Sequence, residues 1–194
     1  MEIRKSLSRF LSIFLIVALG VAFFAGVRAT QPDMQLSADI FYDESRLMDI
    51  RVLSTLGLTE GDVEAIDRID GVENVMASYS QDVLCDTESA QLVVRMMSAP
   101  DRMNRITVEE GRMPQASGEC LVDTAFIDTT GYAIGDTVYV KSGTEDAIED
   151  LLEKEAYTIV GVGSTAYYLS LDRGTSSIGS GELNSFIVIL PADF

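Results

Sequence analysis

The chain begins with a short basic segment followed by one long apolar run. Residues 10–27, FLSIFLIVALGVAFFAGV, carry no charge, and Ser12 has the only polar side chain among them. Folded as an α-helix, this run is about 27 Å long, close to the hydrocarbon core of a bilayer at about 30 Å. Arg28 can extend it, because its charged end reaches the interface while its stem stays among apolar groups. The pattern predicts a transmembrane helix over residues 10–29.

The charges on the two sides of this run predict its orientation. Residues 1–9 carry three basic side chains, whereas the chain after residue 30 is strongly acidic. By the positive-inside tendency, residues 1–9 are cytoplasmic and residues 30–194 are extracytoplasmic. The chain is then a single-pass protein of the cell membrane.

The same run fits two other interpretations. One is a signal peptide cleaved after Ala29, and the other is a buried helix of a globular domain. The apolar run is longer than the usual signal core of about 7–15 residues, and Arg28 lies beside the cleavage point. Both the membrane helix and the signal peptide leave the acidic part of the chain outside the cytoplasm.

The outer part of the chain changes its pattern twice. Residues 30–48 mix acidic, aromatic and apolar positions without a period, which predicts a connector. Residues 49–107 predict an α+β lobe, in which one helix packs on a small sheet. Its predicted elements are a strand over Asp49–Thr55, a helix capped by Thr59 with Gly71 as its C′ residue, and strands over Val72–Cys85 and Ala90–Met97 joined by Asp86–Ser89.

From Val108 onward, short β-rich segments alternate with glycines. This texture predicts a smaller, mostly β lobe over residues 108–194, so the fold class is α+β with a two-lobed extracytoplasmic domain (residues 49–194). An acidic stretch with apolar residues at helical spacing predicts one exposed helix over Thr144–Glu155. The predicted strands are Gly118–Asp123, Gly135–Val140, Tyr157–Val162 and Ser185–Leu190.

Charge excludes one large class of function. The whole chain has a net charge of −17, and residues 31–194 contain 10 Lys and Arg against 30 Asp and Glu. A surface with this excess of acid repels phosphate backbones, so nucleic acid is not a partner.

The composition also limits catalysis. The sequence contains no histidine, which excludes serine or cysteine nucleophiles activated by His. An enzyme would have to work with carboxylates alone. Gly174–Gly181 lacks the Lys-Ser/Thr ending of a phosphate loop, and the acidic stretches lack the DxDxDG order of a calcium loop. We therefore predict no catalytic residue, no cofactor and no metal.

The two cysteines, Cys85 and Cys120, leave one chemical question open. Glu119 precedes Cys120 and opposes formation of its thiolate, so the thiol is a poor candidate nucleophile. A disulfide between the two cysteines is a hypothesis that suits an extracytoplasmic domain, where such a bridge would stabilise the fold by about 3–4 kcal/mol.

The stretch GRMPQASGEC, residues 111–120, predicts a corner of the chain. Pro114 disfavours a helical conformation at Met113, and the glycines can adopt positive φ where the chain reverses. We call this stretch the marker turn.

Several stretches in this order resemble the FtsX/MacB-like ABC transporter permeases of bacteria. They are the basic apolar helix running into ATQPDM, then GRMPQASGECLVD, GYAIGDTVYV, YTIVGVGSTAYYLS and RGTSSIGSGELNSFIVILPADF. In that family, the G-R-x-P…G-E-x-x-V-D element followed by I-G-D marks the MacB-like core domain outside the membrane. The marker residues here are Gly111, Arg112, Pro114, Gly118, Glu119, Gly135 and Asp136.

The resemblance implies a function that composition alone does not show. It implies that the domain is non-catalytic and moves when a separate ABC ATPase subunit hydrolyses ATP, and that the permease has further membrane helices. Export of peptides, lipoproteins or antibiotics, or signalling to envelope proteins, would follow. Because no second apolar span appears before Phe194, we expect this chain to be a fragment of the permease, a truncated frame or the product of a split gene. The alternative is a stand-alone, membrane-anchored binding protein that attracts a cationic partner.

Overall fold

A computed structural model describes residues 7–87, 90–170 and 172–194, in two compact units, Met1–Glu44 and Ser45–Phe194. The first unit is formed by α1 (Leu7–Ser45), a helix of 39 residues and roughly 58 Å. No residue of α1 is buried, and its apolar side chains are open to the surroundings. Residues 1–6, which hold two of the three basic side chains of the predicted cytoplasmic segment, lie outside the described residues.

The structure differs from the predicted connector over residues 30–48. α1 continues through Pro32, and the Thr30 hydroxyl donates to the Gly26 carbonyl oxygen at 3.0 Å. Proline inside a helix costs about 3 kcal/mol, but the residues that follow it here include good helix formers. Because no face of this part of α1 is buried, its sequence shows no apolar periodicity, and the sequence therefore did not predict a helix here.

In the second unit, residues 46–79 contain a single helix, α2 (Glu60–Asp67). The prediction of Gly71 as the C′ residue is wrong, because the helix already ends at Asp67 with Arg68 as its C-cap. The predicted cap at Thr59 is confirmed: its backbone N–H donates to Asp62 Oδ2 at 2.8 Å, and the Asp62 N–H donates to Thr59 Oγ1 at 3.4 Å. The strand predicted over Asp49–Thr55 is wrong, since this segment has no strand partner and Ile50 and Leu53 are exposed. A segment with β-forming residues does not form a strand when no neighbouring strand is present to pair with its backbone N–H and C=O groups.

The remainder of the unit is one seven-stranded sheet that closes on itself. The strand order is β3-β6-β4-β7-β2-β1-β5, and β5 also pairs with β6, so six strands form a small barrel and β3 extends it. The strands are β1 (Ser80–Asp86), β2 (Gln91–Ser98), β3 (Ile106–Gly111), β4 (Glu119–Asp123), β5 (Thr137–Lys141), β6 (Ala156–Thr165) and β7 (Ser185–Ile189).

The alternation of side chains along these strands separates a core inside the barrel from a layer outside it. In β4, Cys120 and Val122 belong to the inner cluster, whereas Leu121 packs outside with Phe186 and Val188. Two neighbouring residues of a strand point to opposite faces, which produces this division. The inner cluster also takes Phe126 from α3 (Thr124–Thr130).

The predicted α+β class, with one apolar N-terminal helix followed by a mixed domain, is confirmed. The hairpin of β1 and β2 and the four strands predicted after residue 108 are present, although residues 88 and 89 of the hairpin turn lie outside the described residues. The first strand of the hairpin begins at Ser80 and not at Val72, since residues 72–79 have no partner strand. β3 was not predicted. Strands from both predicted lobes, residues 49–107 and 108–194, pair in the one sheet, because β1 pairs with β5 and β2 with β7.

The helix predicted over Thr144–Glu155 is wrong. Only Ile148–Asp150 forms a short 3-10 turn, and Thr144 Oγ1 accepts from the Asp146 N–H at 3.2 Å instead of capping a helix. Local bonds of this kind compete with helix formation. Ile148 and Leu152 are buried in the inner cluster, so the segment covers the barrel core without a regular helix.

Candidate functional site: the turn between β3 and β4

The marker turn begins at the end of β3, where the paired backbones of β3 and β6 lie very close together. Gly111 has φ +71°, and a Cβ there would lie 2.3 Å from the Val160 carbonyl oxygen. On the facing strand, a Cβ on Gly161 would lie 2.2 Å from the Arg112 carbonyl oxygen. Only glycine permits this approach from both sides. The first residue of the marker is therefore required by the close contact of two backbones.

Arg112 and Glu119 close the turn from its two ends. Arg112 Nη1 donates to Glu119 Oε2 at 2.7 Å, and Arg112 Nη2 donates to Glu119 Oε1 at 2.5 Å. The backbone N–H of Gln115 also donates to Glu119 Oε2, at 2.9 Å. The Arg112 guanidinium and these backbone donors lower the pKa of the Glu119 carboxyl to about 2. Pro114 is buried inside the closed turn.

A second carboxylate, Asp193, holds the other side of the turn. Asp193 is fully buried; Ser117 Oγ donates to its Oδ1, and the Gly118 N–H donates to its Oδ2 at 3.3 Å. Lys154 Nζ donates to the Ser117 carbonyl oxygen at 3.1 Å. Gly118 has φ +85°, and its carbonyl oxygen accepts from the Thr158 N–H of β6 at 2.8 Å. Asp193, Lys154 and Thr158 thus hold the backbone and the hydroxyl of Ser117–Gly118.

The second marker element, at Gly135 and Asp136, forms a tight turn into β5. Gly135 has φ +103°, and its N–H donates to the Ile159 carbonyl oxygen at 2.8 Å. Asp136 Oδ2 accepts from the Ala133 N–H at 2.9 Å, and the Asp136 carbonyl oxygen accepts from the Ile159 N–H. Both marker elements therefore bond to β6, the strand that closes the barrel.

The last residue of the first marker, Asp123, enters a buried ion pair. Arg173 Nε donates to Asp123 Oδ2 at 3.0 Å, and Arg173 Nη2 lies 2.8 Å from the same oxygen. The Arg173 side chain is 9% exposed and the Asp123 side chain 1% exposed. Asp123 also caps α3, because its Oδ1 accepts from the Ala125 N–H at 3.3 Å. One carboxylate thus joins β4, α3 and the loop after β6.

The two cysteines lie in the inner cluster of the barrel as free thiols, so the hypothetical bridge between them is absent from this structure. Burial raises the pKa of Cys85 to about 11 and that of Cys120 to about 12. Both side chains are fully buried and pack as small apolar groups. They are unsuited to nucleophilic chemistry because the thiolate is the reactive form.

Sequence reasoning located the marker residues but missed three of their partners. Asp193, Lys154 and Arg173 lie between 37 and 76 positions from the residues that they contact. No local pattern indicates such contacts. Among the described residues, no three His, Cys, Asp or Glu side chains are grouped in a way that could hold a metal ion.

The chain belongs to the MacB-like periplasmic core domain family, whose model matches residues 10–194. The resemblance drawn from the marker motifs is confirmed. The matched range includes most of α1 and all of the barrel. A comparison with curated proteins finds no match.

Solved structures similar to this chain include domains of YknZ and MacB. One is the extracellular domain of the noncanonic ABC-type transporter YknZ from Gram-positive bacteria, at 11% identity and a TM-score of 0.40, covering 71% of this chain and 64% of that one. The other is the periplasmic region of MacB from Actinobacillus actinomycetemcomitans, at 12% identity and a TM-score of 0.36, covering 71% and 67%. The match thus spans less than two thirds of the YknZ domain.

Proposed function

We propose that this chain is the N-terminal part of an ABC transporter permease subunit. α1 anchors it in the cell membrane, and residues 45–194 form its extracytoplasmic domain. The observation that carries the proposal is the continuous family match, which starts inside α1 at residue 10 and runs to residue 194. α1 is long and apolar enough to cross a membrane, and none of its most apolar window is buried.

The proposed orientation places the N-terminus in the cytoplasm. Arg9 lies at the start of the apolar run, and the chain beyond α1 is acidic, which matches the positive-inside tendency. The extracytoplasmic domain is non-catalytic in this proposal. Its work is mechanical: ATP hydrolysis by a separate ABC ATPase moves the membrane helices of the permease, and the domain moves with them to drive export or to signal to an envelope partner.

We expect the closed barrel to transmit such movement as one body. Six strands close the sheet, and the two marker elements bond to the closing strand, β6. The Arg112–Glu119 pair and the buried Asp193 fix the corner between β3 and β4. When its loops are fixed in this way, a domain that is displaced at one end moves as a whole instead of deforming locally.

Purification from native membranes tests the proposal. The chain, tagged within its full gene product, is extracted in mild detergent and its partners are identified by mass spectrometry. We expect an ABC ATPase to co-purify, and its ATPase activity to respond to deletion of residues 45–194. Recovery of envelope proteins alone, without an ATPase, would favour a stand-alone anchored binding protein and contradict the proposal.

A further inference from the structure

Arginine and tyrosine side chains cover part of the outer face of the barrel. They are Arg51, Arg95, Tyr167, Tyr168 and Arg173, and we call them the arginine–tyrosine cluster. The sheet register places Arg95 of β2 opposite Phe186 of β7. The Tyr168 ring stacks on the Phe186 ring at a centroid distance of 5.5 Å, and the Arg173 guanidinium carbon lies 5.5 Å from the Tyr168 ring centroid.

Two arginines of the cluster have carboxylates of their own. Arg95 Nε donates to Asp82 Oδ1 at 2.7 Å, and Arg95 Nη2 donates to Asp82 Oδ2 at 2.9 Å. Asp82 Oδ2 also accepts from Ser176 Oγ at 2.7 Å. Arg173 is paired with Asp123 in the same two-pronged way. These pairs balance their charges and hold the arginines in fixed positions.

Arg51 makes no hydrogen bond to a carboxylate among the described residues, although the Asp82 carboxylate lies near enough for the two charges to interact. Within the part of the chain that the structure describes, no carboxylate oxygen lies within 4.0 Å of its guanidinium nitrogens. Its Nη1 donates to the Tyr167 hydroxyl, and its guanidinium carbon lies 5.7 Å from the centroid of the Tyr167 ring. Tyr167 in turn meets Tyr168 edge to face at 4.7 Å. Arg51 is thus an exposed cation oriented by an aromatic ring, with donors left for a ligand.

An open cleft of about 340 Å³ adjoins this cation. The residues that line it are Arg51, Leu53, Ser80, Gln81, Asp82, Arg95 and Ser177. The two arginines and the one carboxylate leave an excess of one positive charge, although the whole chain carries −17. The volume falls within the range of about 300–1,000 Å³ that small-ligand sites occupy. A guanidinium fork matches the planar pair of oxygens in a carboxylate.

We propose that this cleft binds the carboxylate of a small organic acid or of a peptide C-terminus. Arg51 receives the two carboxylate oxygens, and the paired Arg95 keeps the floor of the cleft in place. Tyr167 orients Arg51 before the ligand arrives, which lowers the cost of ordering that side chain on binding. The site needs no ATPase and no movement of the domain, so it stands apart from the proposed transport function.

Calorimetric titration of the full chain in lipid nanodiscs tests this site. The probes are N-acetyl-triglycine, its C-terminal amide, and acetate. We expect the free acid to bind at least about 10-fold more tightly than the amide, because one charged hydrogen-bonded pair is lost. Acetate that binds as tightly as the peptide acid identifies a small acid as the ligand class, and weaker acetate binding identifies a peptide terminus.

Variants separate the site from non-specific attraction. Arg51→Ala and Arg51→Gln should each weaken binding of the free acid about 10-fold or more. Arg68 is an exposed arginine of the same unit and directly follows α2, so Arg68→Ala should leave binding unchanged. Near-ultraviolet circular dichroism verifies that each variant is folded. No binding of either acid at millimolar concentration, equal binding of acid and amide, or unchanged binding by both Arg51 variants would overturn the proposal.

Discussion

Arg112 and Glu119 form a two-pronged ion pair across the marker turn, with donor–acceptor distances of 2.7 and 2.5 Å. The pair joins the residue after β3 to the first residue of β4, so it fixes the direction in which the chain enters the barrel. Glu119 also accepts from two backbone N–H groups of the turn, those of Gln115 and Ala116. The same carboxylate therefore shapes the loop and closes it.

This pair predicts a pH-dependent stability. The pKa of Glu119 falls from its ordinary value of 4.5 to about 2 in the folded chain. A depressed folded pKa stabilises the fold above pH 4.5, and that stabilisation is lost as the pH falls towards 2. We expect Glu119→Gln to lower the thermal midpoint at pH 7, and the difference from the wild type to shrink between pH 4.5 and 2.

The control for this experiment is Glu155→Gln, which changes an exposed carboxylate elsewhere in the same unit. Circular dichroism melts of the full chain in nanodiscs provide the midpoints. A Glu119→Gln difference that stays constant from pH 7 to pH 2 would contradict the assigned role of the Arg112 pair.

The buried Asp193 predicts a larger effect. Asp193→Ala removes the acceptor of the Ser117 hydroxyl and of the Gly118 N–H, both of which lose hydrogen bonds to a charged group. We expect a loss of about 2–3 kcal/mol in the free energy of unfolding, measured by denaturant titration. Asp150→Asn, at an exposed carboxylate, should stay within about 0.5 kcal/mol of the wild type. Equal losses in both variants would show that Asp193 does not anchor the turn.

The close approach of the β3 and β6 backbones predicts that a single added methyl group lowers stability. Gly161→Ala would place a Cβ 2.2 Å from the Arg112 carbonyl oxygen, and a backbone atom cannot move away as a flexible side chain can. We expect a loss of about 1–3 kcal/mol from overpacking. In Gly61→Ala, the nearest atom to the new Cβ is Thr59 Oγ1 at 3.6 Å, so no loss is expected. A tolerated Gly161→Ala would contradict the close crossing.

The Asp123–Arg173 pair predicts strong coupling between two distant parts of the sequence. Arg173→Ala leaves the carboxylate of Asp123 buried without its partner and should cost about 3–5 kcal/mol. In the double variant Asp123→Asn/Arg173→Ala no charge is stranded, so its loss should be smaller than the sum of the two single losses. Chemical denaturation of all four proteins gives the coupling. Additive losses would mean that the two side chains act independently.

The cysteines give a prediction that distinguishes thiols from a bridge. Because both side chains are fully buried and their pKa values are raised to about 11 and about 12, the native chain should resist maleimide at pH 7. After denaturation without reductant, we expect two labels per chain by mass spectrometry, as the free thiols in the structure require. A denatured chain that takes no label until it is reduced would instead show a Cys85–Cys120 disulfide.

The features that could be predicted from sequence are those set by neighbours along the chain. The cap at Thr59 depends on Asp62, three residues away, and the strands between glycines depend on local β preference. The closure of the barrel through β5 and β6 depends on pairing between distant strands, which no local pattern specifies. The pairing of β1 with β5 and of β2 with β7 is equally non-local, so the sequence did not indicate that the two predicted lobes share one sheet.

The marker turn shows the same limit at the level of single residues. Its glycines, Pro114 and Glu119 were found because they are consecutive and have strong conformational preferences. Asp193 is 76 residues from Ser117, and nothing near it in sequence indicates a buried anchor. The strand predicted at Asp49–Thr55 has the right composition but lacks a partner strand, so propensity alone gave the wrong element.

We propose that α1 holds the acidic barrel domain outside the cytoplasm, and labelling of spheroplasts tests this orientation most directly. Asp150→Cys adds one exposed thiol to a chain whose two native thiols are buried. A membrane-impermeant maleimide should label this variant in intact spheroplasts and leave the wild type unlabelled. Labelling of the variant only after the membrane is permeabilised would place the domain in the cytoplasm and contradict the account.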